Sequence, residues 1–421
     1  MSSQDDHVIG LSDLAPQMWE EVVLQTVRDT HEAVADRAFG LVPGSDVPKA
    51  VHDGVADLVY GALTMATRGT RRLAGTLARA TGQARDPDAL ERSVAWRTAL
   101  AILNGVLGDL LESQGNPLAL GMTVRVDARD VAVETDALRE AFPDARPRVA
   151  VLLHGLVEND ESWSFKAASR GITYPEVLTD LGVTPVLLRY NTGRHVSANA
   201  ADLTALLERL VAVWPVGVDE LILIGHSMGA LVIRGAGECA RIEGHRWPDR
   251  TRHVVMLGAP HLGAPLEKVA NAGAWLLSAI PESAAFGAIL RRRSAGIKDL
   301  RHGYLTEEDW SEKDADAWRS DPARAVDRLA EAGHHVVGAT LGATQGHPLS
   351  RTIGDLLVMW GSASAHAQEW ARVASVRHVG SADHFALLNH PDVADLLTAI
   401  VVDGAAAESV GDVAEEAADR G

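Results

Sequence analysis

The chain has 421 residues, of which 47% are hydrophobic and 23% charged, and this globular composition excludes a wholly disordered or fibrous protein. Its formal charge of −18 has the wrong sign for a phosphate-binding surface, so we expect no nucleic-acid partner. The one cysteine, Cys239, excludes an intrachain disulfide framework and a cysteine-based zinc site.

Residues 1–121 are predicted to form a helical region. Apolar residues from Val55 to Ala66 recur at the helical period and form one stripe, and a second helix is predicted from Asp88 to Ser113. Two interpretations of the stripe are open: a membrane-surface helix, given the arginines that follow it, or a helix packed on the neighbouring domain. The negative net charge favours packing. The arginines are Arg68, Arg71 and Arg72.

The start of the chain and its apolar content bear on location. The first residues, Met1-Ser-Ser-Gln-Asp-Asp, lack the basic and apolar segments of a secretory signal, so we expect a cytoplasmic protein. The most apolar helical stretch, Thr98 to Leu111, is interrupted by Asn104, Gly105, Gly108 and Asp109 and falls short of the roughly 20 apolar residues that a membrane span requires. Integral membrane association is therefore not expected, while peripheral contact stays open. Residues 404–421 are small and acidic and are predicted to be a frayed tail.

Residues 122–403 are predicted to form an α/β domain. Short apolar runs alternate with helices, a pattern typical of a mostly parallel sheet with helices on both faces. Residues from about 262 to 331 interrupt this alternation and are predicted to be a helical cap insertion. The predicted strands are Met122–Val126, Asp130–Val133, Arg148–His154, Pro185–Arg189, Glu220–Ile224, His253–Leu257, His335–Thr340 and Ser375–Val379.

The strongest motif is Gly225-His226-Ser227-Met228-Gly229, which lies between a buried strand run and a helix-like segment. Glycines on both sides are needed because the turn is sharp, and a Cβ there would collide with the neighbouring strand or helix. Ser227 is therefore predicted to be a nucleophile held out of the sheet. The N–H of Met228, at the start of the helix, is predicted to be one of two donors to an oxyanion.

A serine hydroxyl needs a base, which must lie later in the chain at a junction between a strand and a helix. His384 lies between the last predicted strand and the last helix and is the predicted base. No histidine shows the His-Glu-x-x-His spacing of a metal site. The other candidate bases, interpreted as satisfied or solvent-facing histidines, are His334, His335, His378 and His390.

The base in turn needs a carboxylate, which in folds with this turn falls between the serine and the histidine. Asp355 is the predicted acid because it follows the strand His335–Thr340 and precedes His384. Asp383 is adjacent to His384, so its side chain is expected to diverge from the ring. The remaining candidates precede that strand and are Asp314, Asp316 and Asp321.

The second oxyanion donor is expected in the loop after the third predicted strand. The run Leu153-His154-Gly155-Leu156 ends that strand, and the N–H of Leu156 is the predicted donor because Gly155 lets the backbone turn inward. His154 precedes the serine in the chain, so we interpret it as ordering the loop and contributing to the substrate pocket rather than as a base.

Together these motifs resemble the α/β-hydrolase superfamily, and within it the lipase-like serine esterases, including the GPI inositol-deacylase-like and bacterial triacylglycerol lipase branches. The resemblance covers roughly residues 122–402. Leu257–Gly263 is similar to the Thr-Pro-His-x-Gly turn of such lipases, with Ala259 in place of Thr, and Gly354–Val358 to their acid turn, with Leu356 in place of Gly. The resemblance implies an α/β-hydrolase fold and ester hydrolysis through an acyl-serine, with no metal or other cofactor.

Two segments are candidates for substrate binding. The predicted cap carries Trp275 and Phe286 and would suit an acyl chain, although an apolar face packed on the sheet explains the pattern equally well. Tyr190, after the fourth predicted strand, either lines the substrate pocket or only stabilises the turn in which it lies. The negative net charge favours neutral, hydrophobic small-molecule or lipid esters over anionic substrates.

A serine carboxylic-ester hydrolase is the function that these residues favour. The same triad also serves acyl transfer and thioester hydrolysis, which product analysis with added alcohols would separate. A non-catalytic binding or scaffold protein that retains the fold is the alternative from another class. The intact order of Ser227, Asp355 and His384 argues against that alternative.

Overall fold

The structure is a computed structural model, and it describes residues 94–264, 294–311, 329, 331–345, 347, 350, 355, 358–364 and 373–402. The apolar stripe Val55–Ala66, the cap residues Trp275 and Phe286 and the predicted tail 404–421 lie outside the described residues. The predictions made for them stay predictions.

An eight-stranded sheet forms the centre of the domain, with the order β2-β1-β4-β3-β5-β6-β7-β8. β1 pairs antiparallel with β2 and β4, and all the other pairs are parallel. Each predicted strand is present, with ends within two residues of the prediction, so the predicted mostly parallel sheet is confirmed. The strands are β1 Thr123–Val126, β2 Arg129–Val131, β3 Arg148–Leu153, β4 Thr184–Arg189, β5 Glu220–His226, β6 Thr251–Leu257, β7 Gly333–Thr340 and β8 Val373–Gly380.

Helices pack on both faces of this sheet, which explains why its central strands are continuous apolar runs. In β5, every residue is buried; Leu221 and Leu223 point into the core on one face, whereas Ile222 and Ile224 point into the core on the other. Full burial of one such side chain contributes about 1.5–3 kcal/mol. The two cores therefore fix the register of β5, and with it the position of the residues that follow the strand.

The described helices connect the strands in the expected alternation, and α7 and α8 lie between β6 and β7, where the cap was predicted. The predicted helix from Asp88 is described from Val94 and ends at Ser113. The chain divides into two compact units between Ile102 and Leu103. The helices are α1 Val94–Ser113, α2 Thr135–Ala141, α3 Ala167–Arg170, α4 Tyr174–Asp180, α5 Val196–Val213, α6 Met228–Glu243, α7 Ala295–His302, α8 Glu307–Trp310, α9 Trp360–Ser364 and α10 391–402.

One stretch of the described residues, His384–Val402, is long and apolar enough by composition to cross a membrane. Just over half of it, 56%, is buried inside the domain, where Leu397 and Val401 of α10 belong to the core on one face of the sheet. The core helices of globular domains can be equally long and apolar, and the burial of this stretch favours a core helix over a membrane span.

Candidate active site

Ser227 lies in a strained turn between the end of β5 and the start of α6. Its φ of 51° and ψ of −116° are unusual for a residue with a side chain, and such a conformation costs on the order of 1–3 kcal/mol. The Ser227 N–H donates to the Leu257 carbonyl at 2.7 Å and so ties the turn to the end of β6. A Cβ on Gly225 or Gly229 would lie 2.4 Å from a backbone atom. The two glycines of the motif are therefore required by close packing.

His384 and Asp355 form a buried pair at the same edge of the sheet. The His384 Nδ1 lies 2.8 Å from the Asp355 Oδ2, and the His384 N–H donates to the Asp355 carbonyl at 3.0 Å. The carboxylate is itself held by the Val358 N–H, which donates to Oδ1 at 2.6 Å. The carboxylate assigns the ring proton to Nδ1, which leaves a lone pair on Nε2. That Nε2 is buried and has no hydrogen-bond partner among the described residues.

The strained turn at Ser227, here called the elbow, meets the loop after β8 that carries His384, here called the histidine loop. They meet at the carboxyl ends of the parallel strands. The ring of His226, adjacent to Ser227, lies 4.8 Å from the ring of His384, centroid to centroid. Gly258, one residue after the carbonyl that holds Ser227, lies against the same ring, because a Cβ on it would be 2.9 Å from the His384 Cε1. The structure thus places Asp355, after β7, in contact with His384, after β8, and places Ser227, after β5, at the same edge of the sheet, with no hydrogen bond between the Ser227 hydroxyl and the His384 Nε2.

The loop after β3 passes beside Ser227. A Cβ on Gly155 would lie 3.1 Å from the Ser227 Cβ. The Gly155 N–H donates to the Glu158 Oε2 at 2.8 Å, and the Val157 N–H donates to the Thr192 Oγ1 at 3.2 Å. The two amides that flank the Leu156 N–H are therefore fixed by side chains.

The second predicted donor, Met228, is the first residue of α6. Its N–H belongs to the first turn, where amides have no intrahelical partner, and it sits at the positive end of the helix dipole. The two predicted oxyanion donors, Leu156 and Met228, thus come from the loop beside Ser227 and from the residue directly after it.

His154 and Tyr190, the two described candidates for substrate contact, form a stacked pair at the end of β3. Both are buried, their rings stack at 4.5 Å, and the Tyr190 hydroxyl donates to the His154 carbonyl at 2.7 Å. Burial lowers the pKa of His154, so its ring is held neutral. The pair therefore fixes the end of β3, and the predicted contact of these two residues with a substrate stays a prediction.

A buried pair that sequence reasoning missed lies beneath the loop. The His226 Nδ1 is 2.9 Å from the Glu158 Oε1, and neither side chain is more than 8% exposed. Burial alone would lower the pKa of His226, but the Glu158 carboxylate raises it above the ordinary value. The motif leaves the residue before the serine unrestricted, and Glu158 follows in an irregular loop, so no pattern marks either residue.

The competing candidates have other partners. The His335 Nδ1 lies 2.9 Å from the Ser375 Oγ, and the His378 Nε2 lies 2.8 Å from the Thr340 Oγ1. Asp383 accepts from the Ala386 N–H at 2.8 Å and so caps the turn that carries His384. Asp314, Asp316 and Asp321 lie outside the described residues. Within the described ranges, no group of three histidine, cysteine or acidic residues is placed to hold a metal ion.

The strand order, the elbow and the buried histidine–carboxylate pair define a hydrolase of the α/β type. Residues 150–396, more than half of the chain, match the alpha/beta hydrolase family, and the protein belongs to that family. No curated protein matches the sequence significantly.

Solved structures that are similar to this chain at low identity include a lipase, a thioesterase and a carboxylesterase. The mature lipase of Bacillus licheniformis is 15% identical, over 61% of this chain and 93% of that chain, with a TM-score of 0.39. The thioesterase of the prodiginine pathway of Streptomyces coelicolor is 17% identical, over 62% and 87%, with a TM-score of 0.34. The carboxylesterase CesB of Bacillus subtilis is 13% identical, over 62% and 85%, with a TM-score of 0.33.

Proposed function

We propose that the protein is a serine carboxylic-ester hydrolase with Ser227 as nucleophile. The observation that carries the proposal is the unpartnered, buried Nε2 of His384, whose opposite nitrogen is held by Asp355 at 2.8 Å, next to a serine in a strained elbow. A base oriented in this way is what a serine hydroxyl needs to become a nucleophile.

In the proposed reaction, the Ser227 Oγ attacks the ester carbonyl while the His384 Nε2 takes the hydroxyl proton. The carbonyl oxygen becomes an oxyanion that accepts hydrogen bonds from the Leu156 and Met228 amides. Collapse of this intermediate breaks the ester bond, and His384 returns its proton to the leaving alcohol. Water, deprotonated by His384, then attacks the acyl-serine; the bond between the acyl carbon and the Ser227 Oγ breaks, the acid leaves, and His384 returns the proton to Oγ. Asp355 keeps the ring in one tautomer and stabilises the imidazolium throughout.

The proposed substrates are neutral esters with a hydrophobic acyl or alcohol part. The net charge of −18 disfavours anionic substrates. Two exposed phenylalanines, Phe165 and Phe385, lie beside the histidine loop with ring centroids 6.3 Å apart, and they offer apolar contact near His384.

Fluorophosphonate labelling, with turnover of p-nitrophenyl esters of increasing chain length, tests the proposal. We expect the wild type to be labelled and to hydrolyse at least one ester, and Ser227→Ala to do neither. Ser381→Ala is a matched control, because Ser381 also has a positive φ, 56°, in a loop at this edge. It should retain labelling and turnover. Asp355→Asn should lower kcat by about 10⁴, as loss of the orienting carboxylate does in a serine protease.

Absence of both labelling and turnover in the wild type would contradict the proposal and favour a binding or scaffold protein. Turnover that gives a transesterified product when alcohols are added would instead identify acyl transfer by the same residues. A kcat of Asp355→Asn within a few fold of the wild type would mean that another carboxylate orients the base.

A further inference from the structure

Glu158 is a buried carboxylate that the proposed reaction does not use. Its side chain is 8% exposed, and it accepts from the Gly155 N–H at 2.8 Å while it contacts the His226 ring at 2.9 Å. A carboxylate in such surroundings is stable only when its oxygens are fully paired. Here Oε2 accepts from the Gly155 N–H at 2.8 Å and lies 3.1 Å from the His226 Nδ1, while Oε1 lies 2.9 Å from the same ring nitrogen.

His226 extends this contact to the histidine loop. Its Nδ1 faces the Glu158 carboxylate and its Nε2 faces the His384 carbonyl oxygen at 3.4 Å. Both ring nitrogens thus face acceptors, which is the arrangement that suits a ring carrying protons on both. Glu158 and His226 therefore join three loops: the one after β3, the elbow after β5 and the one after β8.

The loop after β3 needs such support because its backbone is strained. Val157 has a φ of 59°, which is a costly conformation for a β-branched residue. Glu158 holds the amide on one side of Leu156, and Thr192 holds the amide on the other. The plane between them, which carries the Leu156 N–H, is held through its own carbonyl: the Gly155 oxygen accepts from the Glu158 N–H at 3.3 Å and lies 2.9 Å from the His154 Nδ1.

We infer that Glu158 is a positioning residue of the proposed esterase. Through Gly155 it orients the Leu156 amide toward the oxyanion, and through His226 it holds the loop after β3 in a fixed position relative to the elbow. The inference rests on the proposed function. It assigns Glu158 no contact with the substrate, so its effect falls on the transition state, where the oxyanion forms, and not on ground-state binding.

Steady-state kinetics of Glu158→Ala test this inference on an ester that the wild type hydrolyses. We expect kcat to fall about 10- to 100-fold with KM within about threefold, because an oxyanion donor is displaced rather than removed. Glu158→Gln should recover kcat to within about fivefold of the wild type. Its amide oxygen can accept from the Gly155 N–H, and its amide nitrogen can donate to a neutral His226 Nδ1.

Glu220→Ala is the matched control. Glu220 is equally buried, at 5% side-chain exposure, and pairs with the Arg148 Nε at 2.6 Å at the opposite end of β5. Loss of this ion pair should lower the melting temperature as much as Glu158→Ala does, with kcat within about twofold of the wild type. If Glu158→Ala does not fold, Glu158→Asp replaces it, since a shorter side chain keeps the charge but cannot reach the Gly155 amide, and the same loss of kcat is expected.

The two proposals fail in different ways. Absence of labelling and turnover in the wild type removes the proposed function and this inference with it. If the wild type is active, the inference is overturned by a Glu158→Ala or Glu158→Asp enzyme with kcat within twofold of the wild type. It is equally overturned by a loss that appears only in KM, or by an equal loss of kcat in Glu220→Ala.

Discussion

Substitution of Gly258 by alanine tests how tightly the base is held. Gly258 has a φ of 60°, and its N–H donates to the Val337 carbonyl at 2.8 Å. A Cβ on it would lie 2.9 Å from the Cε1 and 3.1 Å from the Nδ1 of His384, and 3.0 Å from the Leu387 Cδ1. Carbon atoms in contact prefer about 3.5–4.0 Å, so the ring must move by roughly half an ångström or more.

The His384 ring cannot make this movement without loss of alignment. Asp355 holds its Nδ1 at 2.8 Å, and Leu387 is fully buried and leaves no space on its own side. A misplacement of about 1 Å costs on the order of 100-fold in rate, so we expect Gly258→Ala to lower kcat by about 10- to 100-fold. The left-handed backbone adds a loss of stability of about 1–2 kcal/mol, because alanine has a Cβ.

Gly244→Ala separates these two effects. Gly244 also has a positive φ, 70°, but a Cβ on it would meet nothing within 4 Å. It should therefore lose a similar 1–2 kcal/mol, a few degrees in melting temperature, with an unchanged kcat. Thermal unfolding and ester turnover of both variants provide the comparison. A Gly258→Ala enzyme with the kcat of Gly244→Ala would refute the tight contact between Gly258 and the base.

Two further predictions follow from other contacts. Gly105→Val in α1 should lower kcat about tenfold, because a Cβ there would lie 2.5 Å from the Val157 Cγ1 and press on the loop after β3. Gly121→Val is the control and should keep the wild-type kcat, because a Cβ on Gly121 would meet nothing within 4 Å. Equal rates of the two variants would contradict this prediction. Burial lowers the pKa of His335 to about 4, so the unfolded chain, with an ordinary pKa near 6.5, binds the proton first. The contribution of His335 to the free energy of unfolding should be full above pH 6.5 and should decline as the pH falls toward 4. Urea unfolding at pH 7 and pH 5 should show a smaller decline for His335→Gln than for the wild type. An identical pH dependence of the two proteins would argue against this prediction.

The sheet could be predicted from the sequence because its signal is local. A strand buried on both faces is a continuous apolar run, and β3 and β5 each appear as one. The motif around Ser227 is also compact in sequence, because Gly225 and Gly229 lie within two residues of Ser227, although the contact that requires Gly229 is with the end of β3. Local patterns of this kind predicted all eight strands to within two residues.

Asp355 and His384 were predicted from chain order rather than from local pattern. The structure places them in contact across 29 positions of sequence. Their catalytic roles stay predictions until the variants are measured. His154 and Tyr190 were placed at this edge of the sheet from the ends of their strands, but their contact with each other depends on side-chain dihedral angles that no sequence pattern encodes.

Glu158 and the glycines of α1 could not be found in this way. Glu158 acts on His226 across 68 positions, and no period or motif relates them. Gly105 and Gly108 looked like interruptions of an apolar helix, yet a Cβ on Gly108 would lie 1.8 Å from the Asn191 Oδ1, and the Asn191 side chain donates to the Gly108 carbonyl at 3.0 Å. A glycine that allows close packing of a neighbouring loop cannot be distinguished, from the sequence alone, from a glycine that only weakens a helix.

The loop after β3 is the point at which these long-range contacts converge. Glu158 fixes the Gly155 amide, Thr192 fixes the Val157 amide, and Gly105 of α1 leaves room for the Val157 side chain. The histidine side of the site is held separately, by Asp355 and Gly258. In the proposed reaction, oxyanion stabilisation and proton transfer therefore depend on different sets of contacts. Gly105 lies in the same compact unit as the sheet, so its close approach to Val157 is part of the packing that holds this loop, while the predicted boundary at residue 121 stays a prediction.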